Sequence, residues 1–409
     1  MSWLALRLPD FDRKLVGAAL LLSIIGILLI YSAQYHSDNP AARSYYLKQV
    51  VWLVMALVFF WATISLPPRF YDFIAYIFYG VMLVLLILVL VAGATRMGAV
   101  RWFALGPINF QPSELAKMSV LLALARFFAY TKLPPDSKRR LAISLLMTAV
   151  PAMLILKQPD MGTALVYFIL LISLWFFSGL PPLFLVLIIS PLISLVAAFH
   201  WLAWGLYLAL LIVILYLGRP GLLFAVGVTV ANLIFGMMTP LVWNRLADYQ
   251  RMRIVIFLDP GRDPLRAGYQ IIQSIISIGS GGLLGKGYLG GSQTRLEYLP
   301  VRHTDFVFSV LGEELGFIGG AIVIALFAFI IYRGLQIAAK CRSTFLATLS
   351  WGVVTIIFFQ TVVNIGMTLG LMPVTGLPLP FVSYGGTSLV FFWVLIGLLT
   401  LADRHWLDY

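Results

Sequence analysis

The sequence predicts an all-α polytopic membrane protein, and three observations carry that prediction. Hydrophobic residues make up 61% of the 409 and charged residues only 11%, with a mean hydropathy of +0.98, so a water-soluble fold would leave too much apolar surface exposed. Apolar runs of the roughly 17–25 residues needed to cross a hydrocarbon core recur along almost the whole length. They lack the period-two alternation of a barrel strand, which leaves helices as the spanning elements.

About twelve transmembrane helices are predicted within one membrane domain spanning 1–409, at 15–34, 49–66, 73–93, 113–131, 141–157, 160–178, 181–199, 203–218, 221–241, 313–333, 345–369 and 381–402. The first follows "MSWLALRLPDFDRK"; it is too long for a signal-peptide core and lacks a small-residue cleavage site, so it is expected to remain as a span. An even number places both termini on one side. Arg13, Lys14, the "KLPPDSKRR" loop at 132–140, Arg333, Lys340, Arg342 and Arg404 then share that side, and the positive-inside rule makes it the cytoplasm. Cys341, the only cysteine, sits in that basic edge and excludes disulfides within the chain. No internal repeat, low-complexity tract or soluble domain stands out.

The formal net charge is +12, but the basic residues are scattered through loops instead of gathered on one face. That excludes nucleic acid as the expected partner and favours membrane lipids or a phosphate-bearing lipid substrate. Residues 242–304 form a long, polar, Gly-rich segment that the topology places outside the cell. A loop of that length is functional or disordered, and the amphipathic "YQIIQSIISIGS" within it predicts structure lying against the membrane.

Several short stretches carry polar chemistry into this apolar chain. "GSGGLLGKG", 279–287, is not a Walker A loop: the position of its first glycine is taken by Ser280, and Gly287 follows Lys286 where a magnesium-binding Ser or Thr is needed. It either makes turns or brings Lys286 and backbone N–H groups to an anion. The four histidines, His36, His200, His303 and His405, lack metal-ligand spacing. No nucleophile elbow accompanies His303 and Asp305, so a serine or cysteine hydrolase has no support.

In "QPSELAK", 111–117, Pro112 suits a helix start, and Glu114 and Lys117 are three residues apart on one helical face. They form either a structural ion pair or one wall of a polar cavity. Asp160 in "KQPDMGTA", 157–164, is either a helix cap or a site residue. "GLPLPFVSYGGTS", 376–388, is irregular backbone at membrane depth, which is tolerated where protein or water satisfies it. "EYLPVRHTDFVFSV", 297–310, puts Glu297, Arg302, His303 and Asp305 just ahead of a hydrophobic run. There Asp305 is a solvated charge, a cap, or a general base or metal ligand flanked by cations.

Taken together, these stretches resemble the SEDS family (shape, elongation, division and sporulation), and its rod-shape branch more closely than its division branch. "QPSELAK", "KQPDMGTA", "DYQRMRIVIFLDPGRDPLRAGYQIIQS", "GSGGLLGKGYLGGSQTRLEYLPVRHTDFVFSVLGEELG" and "NIGMTLGLMPVTGLPLPFVSYGGTS" look like family motifs in family order. The resemblance implies a core of ten spans, so the region near 203–242 reads as an extra pair. It implies a peptidoglycan glycosyltransferase of the bacterial inner membrane that polymerises lipid II on the extracytoplasmic side. The implied partners are a class B penicillin-binding protein and other elongation-complex proteins.

The family's essential aspartate matches Asp305. It either takes the proton of the attacking hydroxyl or holds a divalent cation, Mg or Mn; no nucleotide or organic cofactor is implied. Arg101, Lys286, Arg295 and Arg302 are candidates for the pyrophosphate, since cations match phosphate oxygens. Trp102 stacks on sugar or anchors at the interface. Glu114, Lys117, Asp160, His303, Thr304 and Ser383 complete the expected substrate-binding set. A lipid flippase and a scaffold without chemistry of its own are the competing readings, with Glu114, Lys117 and the broken start of the last span able to serve a transport path.

Overall fold

Long apolar helices dominate the structure, a computed structural model that describes residues 12–35, 44–96, 99–105, 108–264, 268–292 and 302–407. Helices α1 (Arg13–Tyr35), α2 (Tyr45–Ser65) and α3 (Pro68–Ala92) come first, followed by three short strands, β1 (Ala94–Arg96), β2 (Ala99–Leu105) and β3 (Ile108–Phe110). Then come α4 (Pro112–Tyr130), α5 (Lys138–Leu156), α6 (Met161–Phe177), α7 (Pro182–Ala197), α8 (Trp201–Gly218), α9 (Leu222–Met237) and α10 (Thr239–Arg245). The connection that follows holds α11 (Asp248–Leu258), a 3-10 turn (Pro260–Arg262) and α12 (Tyr269–Gly281), ahead of α13 (Val307–Lys340), α14 (Thr344–Thr368) and α15 (Gly386–Arg404). Proline opens α3, α4 and α7 at the first turn, where its missing N–H would have no helical partner anyway.

Every predicted span falls on a helix. Among the described residues, however, eight helices are long and apolar enough to cross a membrane, or nine if α9 and α10, bent by 46°, form one span. Helices α6 and α7 are apolar but shorter, and α4 carries three charges, Glu114, Lys117 and Arg126. The all-α expectation takes one correction: β1, β2 and β3 form a three-stranded antiparallel sheet, with Ala94 opposite Trp102 and Phe103 opposite Phe110. These short extended pieces satisfy their backbone groups on one another, which no local hydrophobic pattern announces.

The core lies around α14 and α15, whose most apolar stretches are 78% and 72% buried within the protein, against 11% for α8. Helices α8 and α9, the expected extra pair, stand at the edge and pack with α7 around a separate small cluster of Leu187, Leu211, Leu215 and Val228. Asn232 ties that cluster together, its Nδ2 donating to Ser190 Oγ at 2.7 Å and its Oδ1 accepting from Tyr207 at 3.0 Å.

Helix α13 is interrupted at Gly316, whose φ of 62° and ψ of −162° are open to glycine and strained for other residues. The Gly-rich segment after α12 fills the break. Lys286 and Gly287 donate backbone N–H groups to the carbonyls of Glu313 and Glu314 at 3.0 Å each, and Phe317 N–H returns to Gly282 O at 2.9 Å. The glycines of "GSGGLLGKG" therefore allow a loop to lie flat against exposed helix backbone.

Candidate active site

Asp305 sits in the turn formed by residues 302–306, directly ahead of α13. Neighbours far away in sequence hold that turn at almost every residue. Arg302 is buried and its Nε donates to Ala33 O in α1 at 2.6 Å. The Nδ1 of His303 lies 2.8 Å from Gln34 Nε2, and the ring packs against Tyr45, with centroids 5.0 Å apart. Ser383 Oγ donates to Thr304 O at 2.6 Å while accepting from Leu379 N–H, and Tyr384 N–H donates to His303 O at 2.9 Å. Asn364 Nδ2 bridges Asp305 O and Leu377 O at 3.0 and 2.8 Å. The irregular "GLPLPFVSYGG" backbone is thus satisfied by the turn, as non-helical chain inside a membrane protein must be.

A second wall comes from the start of α6. Asp160 caps that helix, accepting from Thr163 N–H at 3.2 Å and Thr163 Oγ1 at 3.0 Å. Its carboxylate lies 3.8 Å from Arg101 of β2, whose Nε donates to Gln158 O at 2.9 Å. Gly162 packs so closely on the 375–377 backbone that an added methyl would lie 2.7 Å from Thr375 O. Gly376, with φ of +74°, turns that backbone past the Asp305 carboxylate: a methyl there would stand 3.7 Å from its Oδ2.

The electrostatics single out Asp305. Burial pushes its carboxyl up to about 6, against the opposing pull of the Thr304 hydrogen bond and of the Arg253 and Arg101 guanidiniums, with the Asp160 charge adding to the rise. A carboxylate that exchanges its proton near neutral pH beside two cations can act as a general base or hold a cation. Burial and the neighbouring Arg302 charge pull His303 down to about 4, so its imidazole is neutral at pH 7.

The other expected site residues divide in two. Arg101, Asp160, His303, Thr304 and Ser383 gather at or next to the turn. Glu114 and Lys117 pair with each other at 2.9 Å, fully shielded, with Lys117 4.6 Å above the Phe391 ring. Lys286 pairs with Glu313 at 2.8 Å and with Ser292 at 2.7 Å. Trp102 is half-buried in β2, and Arg295 and Glu297 lie outside the described residues. Sequence reasoning missed Gln34, Asn364 and Arg253 as site residues. The first two are polar residues near the ends of apolar helices, a signal that was present; Arg253 was one basic residue among many in its loop.

A bundle of many apolar helices, eight of them long enough to span a membrane among the described residues, with a half-buried, cation-flanked aspartate just ahead of the 34-residue helix α13, defines a polytopic membrane protein. The chain belongs to the family of FtsW, RodA and SpoVE, described as "Cell cycle protein", whose model matches residues 12–207 and 203–406. It is 38% identical over 395 residues to the peptidoglycan glycosyltransferase MrdB of Escherichia coli strain K12, covering 96% of this chain and 94% of that one. It is 37% identical to the peptidoglycan glycosyltransferase RodA of Treponema pallidum, covering 95% and 96%. Among solved structures it resembles a chain described under "Structural coordination of polymerization and crosslinking by a peptidoglycan synthase complex", with a TM-score of 0.73, 34% identity and all of both chains covered. It also resembles the rod shape determining protein RodA of Thermus thermophilus, with a TM-score of 0.64, 30% identity and full coverage of both.

Proposed function

We propose that this protein is a peptidoglycan glycosyltransferase that polymerises lipid II, with Asp305 as its catalytic carboxylate. The single observation that carries the assignment of the residue is the environment of Asp305: a carboxyl raised to about 6, beside Arg101 and Arg253, in a turn held from α1, α14 and the segment before α15. Each extension joins the 4-hydroxyl of an acceptor sugar to the anomeric carbon of a donor and expels the pyrophosphate lipid. Asp305 takes the hydroxyl proton as the new bond forms, and a single displacement inverts the anomeric configuration. Arg101 and Arg253 face the departing pyrophosphate with charges matched to its oxygens. Asp160 holds the start of α6 in place and tunes Asp305 through its charge.

A divalent cation is the alternative use of the carboxylate. Among the described residues no three His, Cys, Asp or Glu side chains gather as a ligand set, which fits a hydrated ion such as Mg²⁺, held by one carboxylate and substrate phosphates, better than an all-protein cage. When bound, such an ion would neutralise charge on the pyrophosphate.

The membrane placement follows from the substrate, whose lipid stays in the bilayer while its sugars emerge. All twelve predicted spans cross the cytoplasmic membrane: α6 and α7, with 17 and 16 residues, do so at the short end of what a bilayer accommodates, and α4 carries a Glu114–Lys117 pair that neutralises itself. Both termini are cytoplasmic and the Asp305 turn is extracytoplasmic. The working assembly includes a class B penicillin-binding protein, as the likeness to a chain of a peptidoglycan synthase complex suggests, together with other elongation proteins. The test is polymer formation from labelled lipid II by the purified protein with that partner. Strands from the wild type and none from Asp305→Ala support the reading, whereas equal strands from both would leave a scaffold. Chelator and added Mg²⁺ separate the two uses of the carboxylate.

A further inference from the structure

At the far end of α13 from Asp305, a cavity of about 690 Å³ opens between the start of α1, the last third of α13 and the end of α15. Its wall carries four cations, Arg13, Lys14, Arg333 and Arg404, against two carboxylates. Both carboxylates are already occupied: Asp12 holds Arg333 at 2.6 Å and Asp403 holds Lys340 at 3.3 Å. Arg13, Lys14 and Arg404 are exposed at the cavity and, among the described residues, have no ion-pair partner. Beside them Phe329 and the 59% exposed Tyr332 form an apolar wall. Uncompensated positive charge next to the exposed Tyr332 ring and the half-buried Phe329, at the ends of helices that span a membrane, matches an amphiphile with an anionic head.

We infer that this basin binds an anionic phospholipid from the adjoining leaflet. Its phosphate groups pair with Arg13, Lys14 and Arg404, and its acyl chains run along Phe329 and Tyr332. The inference rests on the membrane placement and is independent of the chemistry at Asp305. The three helices it would clamp all reach the Asp305 turn, as α14 also does through Asn364. Helix α1 carries Ala33 and Gln34 in its last turn, α13 begins at the Asp305 turn itself, and α15 follows Ser383 and Tyr384. A lipid across their opposite ends therefore resists their splaying and favours the assembled site.

The test uses the full-length protein in detergent, stripped of lipid, with native mass spectrometry and thermal unfolding as readouts. Cardiolipin is expected to bind saturably, at least tenfold more tightly than phosphatidylcholine, and to raise the unfolding temperature. The Arg13→Gln/Arg404→Gln double variant should keep the lipid-free unfolding temperature and lose tenfold or more of that affinity. A Lys138→Gln/Arg139→Gln control, which removes two exposed cations at the start of α5, should bind as the wild type does. Equal binding of both lipids, or undiminished binding by the Arg13 and Arg404 variant, would overturn the inference. Displacement of cardiolipin by inorganic pyrophosphate at matched phosphate concentration would overturn the lipid assignment in favour of a soluble anion.

Discussion

Gln34, one residue from the end of α1, donates from Nε2 to Nδ1 of His303 across 2.8 Å. The contact assigns the ring proton to Nε2 of a neutral imidazole and fixes the turn two residues ahead of Asp305. Replacing Gln34 by Ala should lower polymerisation about tenfold, the worth of one hydrogen bond in a half-buried site. Because His303 sits near 4, the pH profile above 5 should not move. A steady-state pH–rate series on the variant checks both statements.

Activity should fall as the medium is acidified through about 6, where Asp305 takes up its proton. The neighbours shift that limb in opposite directions. Asp160→Asn removes a charge that raises the Asp305 pKa and keeps an amide able to cap α6, so the limb moves to lower pH. Arg253→Gln removes a charge that lowers it, so the limb moves up. Strand yield between pH 5 and 8 measures both.

Stability should show the cost of the same carboxylate. The folded state keeps the Asp305 proton up to about 6, whereas the unfolded chain releases it near the ordinary value of 3.8. The folded state therefore binds more protons between those values, and stability declines as pH rises through that window. Asp305→Asn should be more stable than wild type at pH 7.5, by on the order of 2 kcal/mol, and the difference should close below about pH 4. Thermal unfolding of detergent-solubilised protein at both pH values reads it.

Lys286 offers a test of structure against substrate contact. Its ammonium is the counter-charge of the fully buried Glu313, which also accepts from Ser277 and Ser292, so Lys286→Met should remove that counter-charge and cost on the order of 3 kcal/mol. Adding Glu313→Gln should restore most of that stability. Polymerisation by the double variant should return to within about threefold of wild type if the pairing is the main role of Lys286, and strand assays on the pair of variants decide it.

The spans were legible as apolar runs near membrane length, and the boundary at Pro112 follows from proline chemistry, whereas the third predicted span, 73–93, starts five residues after its helix begins at Pro68. Asp305 drew attention in the sequence through its motif, and the structure places it in a turn held by α1, α14 and the segment before α15. The sheet formed by β1, β2 and β3 was not legible, because strands of three to seven residues within one connection are too short to show a period in the sequence. Lys286 looked like an anion ligand since Glu313, its partner, lies a loop away in sequence. Gln34 and Asn364 stood out as polar residues near the ends of apolar helices, but not what they touch: each acts on backbone or ring atoms of the 302–306 turn, and that closeness is set by helix packing.

The hold of α1 on the turn has a consequence for how the protein is made. Gln34 and His303 are 269 residues apart, Ser32 and Glu314 are 282 apart, and Gln49 reaches Gly385 across 336. A nascent chain inserts its first helices long before their partners leave the ribosome, so Gln34 and Gln49 must wait, unsatisfied or solvated, through most of synthesis. The Asp305 turn is consequently among the last features to assemble, and a chain released before Ser383 and Tyr384 would be a membrane bundle in which that turn lacks two of its holds.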